Sequence, residues 1–150
     1  MFDLDLFLTV LHHLLVFALF AVLTGELLLA RAPMVADDVR RLAALDASYG
    51  ALAVGILAVG FGRAIYAAKG WEYYSANPFF HAKLTAFVII GLLSIWPTVQ
   101  IIRWRRRLQS DSTAAPLQSE VQTMRRVLWS EILLFALMPA FAAAMARTSL

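Results

Sequence analysis

Four long apolar runs constrain the fold of this chain more than any other feature. They cover about residues 6–29, 47–68, 79–102 and 127–145, each close to the ~20 apolar residues needed to cross a bilayer. Because an unpaired backbone amide costs several kcal/mol in lipid, a spanning segment must be a helix or a strand of a closed barrel. Barrel strands alternate polar and apolar residues, and these runs do not. The sequence therefore predicts an all-α polytopic membrane protein, a four-transmembrane-helix bundle.

Composition and charge favour a single domain over residues 1–150 and argue against a soluble protein. Hydrophobic residues make up 61% of the chain and charged residues only 15%, which is too little polar surface for a soluble domain of this length. The excess of basic residues lies beside the apolar runs and not on an open solvated face, so no nucleic-acid binding is expected. The chain has no cysteine, which excludes disulfides and thiolate metal sites. The first residues lack the basic charge of a signal peptide, so the first run is predicted to be a retained helix.

The arginines between the runs predict the orientation of the chain. They occur between the first and second runs and between the third and fourth, namely Arg31, Arg40, Arg41, Arg103, Arg105, Arg106, Arg107, Arg125 and Arg126. Residues 69–78 contribute only Lys69. The positive-inside rule then places the two arginine-rich connections in the cytoplasm and both termini in the periplasm of a bacterial inner membrane. The polar stretch 109–122 is predicted to be a flexible linker.

Ionisable residues within the runs are predicted to form two layers, because such residues usually face the interior of a bundle. The outer layer comprises His12, His13, Arg63, His81 and Lys83, and the inner layer comprises Glu26, Arg31, Asp46 and Glu131. At about 100° per residue, His12 and Glu26 share one stripe of the first helix. Lys83 shares a stripe with small and hydroxyl residues, which mark helix contacts in membranes. Lys83 is therefore expected to face the interior, with His81 ranked second.

Each layer admits a functional and a structural interpretation. An imidazole inside a helix bundle is a natural axial ligand for haem iron, and nearby cations can pair with haem propionates. Alternatively, the outer histidines only form hydrogen bonds, while Lys83 and Arg63 extend towards the membrane surface. The inner layer fits either a proton path through Glu26, Asp46 and Glu131 or two interfacial ion pairs, Glu26 with Arg31 and Asp46 with Arg41.

Several short segments carry a family resemblance over nearly the full length. They are His12-His13 with Glu26, and residues 45–50, 60–63, 69–70, 73–74, 77–84 and 93–98. On these residues the chain resembles an uncharacterised bacterial family of small four-span membrane proteins, a domain of unknown function. More distantly, Trp71 and His81-Ala82-Lys83-Leu84 are similar to the Trp-x-x-His-x-Lys-Leu signature of HemJ-type protoporphyrinogen oxidases. CopD-like membrane proteins share the same general plan.

The HemJ-type resemblance implies a bound haem b and catalysis that depends on a histidine of span one and on the lysine. Carried over, His12 or His13 would be the axial ligand and Lys83 the second essential residue. The leading hypothesis is thus a haem b protein active in electron transfer or in oxidation of a hydrophobic substrate. In it, Lys83 is the catalytic candidate, and Arg63 and His81 complete the predicted cofactor site.

Two other hypotheses remain open. In the first, the chain is a non-enzymatic accessory subunit that packs through Ala51, Gly55 and Gly62, together with the small-residue run 140–146, against a larger membrane complex or a second copy. In the second, His12, His13 and Met145 handle copper or protons.

Overall fold

The structure is a computed structural model that describes residues 3–66 and 70–147, without the side chains of residues 70 and 145. This part of the chain is helical and contains no strand. Its helices are α1 (Leu4–Leu29), α2 (Ala36–Tyr66), α3 (Gly70–Ala76), α4 (Pro78–Ser110), α5 (Gln118–Ala136) and α6 (Met138–Arg147). Four segments are long and apolar enough to cross a membrane: α1, α2, α4, and α5 continued into α6 as far as Ala144. The predicted all-α class with four transmembrane helices is confirmed.

Polar residues define where two of the spanning helices begin. The side chain of Asp3 accepts a hydrogen bond from the amide of Leu6, 3.1 Å away, at the start of α1. Asn77 does the same for the amide of Phe79, 2.9 Å away, and Pro78 occupies the first position of α4. Such caps satisfy amides that have no partner within the helix, and proline has no amide to satisfy at that position. The start predicted near residue 79 is confirmed.

The helix α2 begins well before the apolar run that predicts it, at Ala36 and not near residue 47. Its first turns are amphipathic, with Val39 and Leu42 buried and Asp37 paired with Arg40 and Arg41 on the exposed side. An amphipathic segment contains no continuous apolar run, so a prediction based on such runs does not include it. The helix α4 is likewise longer than its apolar run and continues to Ser110, so the predicted linker 109–122 is reduced to residues 111–117.

The fourth span predicted over residues 127–145 is found in Gln118–Ala144, but the helix is interrupted once. It divides at Leu137 into α5 and α6, and Pro139 follows two residues later. Proline lacks the amide that would continue the hydrogen-bond ladder, and its ring clashes with the preceding turn. The short α3 between the second and fourth helices was also not predicted, because its seven residues are too few to show a periodic pattern.

The core lies along the shared axis of the spanning helices, and the outside of the bundle is apolar as well. Leu19 and Leu23 of α1, with Ile90 of α4 and Leu128 of α5, are almost completely buried. Large apolar side chains such as those of Phe17, Leu92 and Leu133 are exposed on the outer surface. A soluble monomer rarely exposes so much contiguous apolar surface. These side chains are therefore in contact with lipid.

One arginine ties the end of α1 to α5. The Nη1 atom of Arg125 donates to the carbonyl oxygens of Leu27 and Ala30, at 2.9 and 3.0 Å. These carbonyls belong to the last turn and cap of α1, where carbonyl groups have no partner along the helix. The guanidinium therefore satisfies polar groups that the end of a helix leaves open.

We expect Arg125→Ala to lower the free energy of unfolding by about 1.5–3 kcal/mol, the range for hydrogen bonds to a charged group. Arg126 is the matched control, because it is the next residue and its side chain is exposed. Thermal unfolding in detergent, followed by circular dichroism, should show a lower midpoint for Arg125→Ala and no change for Arg126→Ala. Equal midpoints for both variants would contradict this role.

Candidate functional site

A cleft opens between the helices at the end of the bundle where α1 begins and α2 ends. Its cavity volume is about 120 Å³, and its mouth is open. Its polar lining consists of His12, Arg63, Lys83 and Tyr74. Aromatic side chains form much of its wall, namely Phe61, Phe80, Phe87 and Phe135. An apolar wall with a few converging polar groups is typical of a binding site.

The imidazole of His12 is the deepest polar group in the cleft. Only 7% of the residue is exposed, and its Nδ1 atom is buried without a hydrogen-bond partner among the described residues. Gly60 of α2 makes this position available, because a Cβ atom at residue 60 would lie 3.3 Å from Cε1 of His12. Buried polar atoms are normally hydrogen-bonded. The free nitrogen is therefore an exception that calls for an explanation.

The other two histidines lie outside the cleft. His13 and His81 are both exposed. A ring nitrogen of His13 lies 2.7 Å from the carbonyl oxygen of Thr9, and one of His81 lies 2.7 Å from the carbonyl oxygen of Ser75. Of the three histidines in the predicted outer layer, the structure thus brings only His12 into the cleft. His13 follows it in the helix and points about 100° away.

Arg63 and Lys83 bring two positive charges into the cleft. They come from α2 and α4, are half-buried, and form no ion pair within the part of the chain that the structure describes. The Nε atom of Arg63 is also buried without a hydrogen-bond partner there. A charged group away from water is costly unless an opposite charge or a hydrogen bond accompanies it. The cleft is therefore suited to a ligand that has an acidic group.

The predicted inner layer lies towards the opposite end of the bundle. Glu26 and Glu131 are buried and Asp46 is half-buried. The ion pairs predicted for Glu26 and Asp46 are wrong for the described residues. Arg41 pairs instead with Asp37, one turn away on the same helix, at 3.1 Å, and such i, i+4 partners lie on one helix face. Arg31 is exposed at the end of α1.

The structure also bears on the residues of the two alternative hypotheses. No group of three His, Asp or Glu side chains that could hold a metal ion occurs among residues 3–66 and 70–147. The side chain of Met145 is not among those that the structure describes.

Of the surface predicted for a partner, Gly55 is turned inward, since a Cβ atom there would lie 3.6 Å from Leu15 of α1. It therefore packs within the chain, which removes it from a surface for a partner subunit.

Comparison with known proteins identifies a family and no function. The family described as "Predicted membrane protein (DUF2214)" matches residues 4–148 of the chain. No curated protein matches the chain. No solved structure matches it either. The resemblance to HemJ-type oxidases and CopD-like proteins is unsupported by these comparisons.

Proposed function

We propose that this chain, which belongs to the DUF2214 family of predicted membrane proteins, binds one haem b in the cleft. The protein would then take part in redox chemistry within the membrane. One observation carries the proposal: a buried imidazole lines the same cleft as two cations, and among the described residues neither its Nδ1 atom nor the cations have a hydrogen-bond or ion-pair partner, respectively. Haem b presents both matching features, an iron that accepts an imidazole ligand and acidic propionates.

Different residues of the cleft would bind different parts of this cofactor. His12 would be the axial ligand, and its position against Gly60 would fix the ring. Arg63 and Lys83 would pair with the propionates. The aromatic wall would exclude water from the macrocycle. The bound haem would supply one-electron chemistry, and Lys83 would donate or accept a proton.

We further propose that the cleft lies in the periplasmic half of a bacterial inner membrane. The exposed arginines Arg103, Arg105 and Arg106 follow the long apolar part of α4 at the other end of the bundle, and such residues favour the cytoplasmic side. The mouth of the cleft would then admit a hydrophobic substrate or an electron donor from the outer leaflet. Alkaline phosphatase and green fluorescent protein fusions at the C-terminus would test the orientation, because only the former is active in the periplasm.

Titration of the purified protein with haemin in detergent tests the cofactor. We expect a shifted Soret band that saturates at one haem per chain. Arg63→Gln and Lys83→Gln should each raise the dissociation constant about tenfold or more, because a charged hydrogen bond contributes about 1.5–3 kcal/mol. Arg31→Gln is the control, since Arg31 is exposed at the opposite end. A folded wild-type protein that gives only the spectrum of free haemin would end the proposal.

A further inference from the structure

Two carboxyl groups are buried in the core of the bundle, away from the cleft. Glu26 of α1 is 3% exposed and Glu131 of α5 is 1% exposed. In each of them the Oε1 atom is buried without a hydrogen-bond partner among the described residues. The carboxyl groups of Asp46 and Glu131 are both close enough to Glu26 to interact with it electrostatically. Nothing in the proposed haem site uses either group.

The other two spanning helices supply hydroxyl groups to the same place. The hydroxyl of Tyr49 on α2 donates to the carboxyl group of Glu131. Thr98 of α4 donates to Asp46 of α2 across 2.7 Å. All four spans therefore contribute polar side chains to one level of the bundle.

None of the described basic residues near these carboxyl groups in the chain forms an ion pair with them. Arg125 of α5 is bonded to the last carbonyls of α1, and Arg31 is exposed. The ionisable residue among the described residues of α6 is Arg147, at the C-terminal end of that helix. Within the described residues, no ion pair includes Glu26, Asp46 or Glu131.

The electrostatic cost of burying these carboxylates favours the binding of a proton. An ionised carboxylate buried without a cation costs several kcal/mol even after the protein relaxes. A second carboxylate in the same place adds repulsion that the low dielectric does little to screen. Binding a proton removes both costs, and the acid can then donate as well as accept a hydrogen bond. The unpartnered oxygens of Glu26 and Glu131 are positioned for such protons.

A second pocket reaches the side chain of Tyr49. It lies between α2 and α4, and Asp46, Tyr49, Ser94 and Thr98 line it. Tyr49 therefore faces the pocket and bonds to Glu131 at the same time. A hydroxyl group can donate and accept at once, so it can relay a proton from the pocket to the carboxyl pair.

We infer that Glu26 and Glu131 form a buried proton-binding site, which exchanges with solvent through Tyr49 and the pocket that contains Asp46. The site does not depend on the haem. Leu19 and Leu23 are buried on α1 between His12 and Glu26, so an apolar layer separates the two places. The presence of a proton site can be established whether or not the cleft binds a cofactor.

Infrared spectroscopy of the purified protein in lipid nanodiscs at neutral pH tests the inference. The wild type should show the carbonyl band of a protonated carboxylic acid, and ¹³C-labelled glutamate should shift that band. Glu26→Gln and Glu131→Gln should each reduce the band, and the double variant should remove its glutamate component. Glu72→Gln is the matched control, because Glu72 is exposed on α3, and it should change nothing. Tyr49→Phe should slow the shift of the band after transfer to D₂O.

Two results would overturn the inference. One is a folded wild-type protein with no protonated glutamate band at neutral pH. The other is a band that persists unchanged in the folded double variant. If a glutamine variant does not fold, the ¹³C-labelled wild type still shows whether a protonated glutamate is present, because that measurement needs no substitution. An unchanged exchange rate in Tyr49→Phe would exclude the route through that hydroxyl.

Discussion

Replacing His12 with alanine is expected to abolish the Soret band that haemin gives with the wild-type protein. His12 is the one histidine among the described residues that lines the cleft. Substitution of groups that only support a metal ligand commonly lowers affinity 10–100-fold, so loss of the ligand itself should exceed about 100-fold. The readout is the same haemin titration, with thermal unfolding to confirm that the variant is folded.

His13→Ala is the matched control for this experiment. It removes the same side chain from the next residue, but that ring is exposed and close to the carbonyl oxygen of Thr9. We expect its titration to follow that of the wild type. Imidazole added to a His12→Gly variant should restore part of the band, because a free ligand can enter the space that the ring vacates. A Soret band retained in His12→Ala and lost in His13→Ala would refute the assignment.

Replacing Glu120 with alanine is expected to cause the largest loss of stability. The carboxylate of Glu120 accepts hydrogen bonds from Gln100, Trp104 and Arg107 of α4 and from the amide of Leu117. Trp104 is 1% exposed, so its indole N–H would lose its partner where water does not reach it. Each orphaned buried donor costs about 1–3 kcal/mol. We expect a total loss of about 2–4 kcal/mol, with little from the partly exposed ion pair itself.

Unfolding in mixed micelles with increasing dodecyl sulfate would measure this loss. Glu120→Gln should lose less stability than Glu120→Ala, because its amide oxygen still accepts from a donor of α4. Glu72→Ala removes a glutamate that is exposed on α3 and should leave the midpoint unchanged. If Glu120→Ala unfolds at the wild-type midpoint, the network does not hold α4 to α5.

The Glu120 network also explains why the polar stretch 109–122 was not predicted correctly. Its composition, with three serines, three glutamines and one proline, is typical of a flexible linker. The structure instead continues α4 to Ser110 and starts α5 at Gln118, because Glu120 binds donors that lie up to 20 residues earlier in the chain. A partner so distant in sequence leaves no local signal.

The candidate site was predictable in part. The helical period places Lys83 and His81 about 200° apart on one helix, which is enough to distinguish their directions. It cannot choose between His12 and His13, since the absolute rotation of α1 depends on its neighbours. In the structure the His12 ring packs closely against Gly60 of α2, where a Cβ atom would lie 3.3 Å from Cε1 of the ring. The importance of Gly60 was not predicted, because a glycine gains such a role only from the side chain packed against it.

The sequence by itself determined the number of spans and the all-α class. A bilayer offers no hydrogen bonds to the backbone, so a continuous apolar run of sufficient length has to be a helix. Tertiary structure alone decided which ionisable side chains share a cleft, which carboxyl groups form no ion pair within the described residues, and where the fourth run divides. Those outcomes depend on distances between helices, and neither periodicity nor composition encodes the rotation at which one helix meets another.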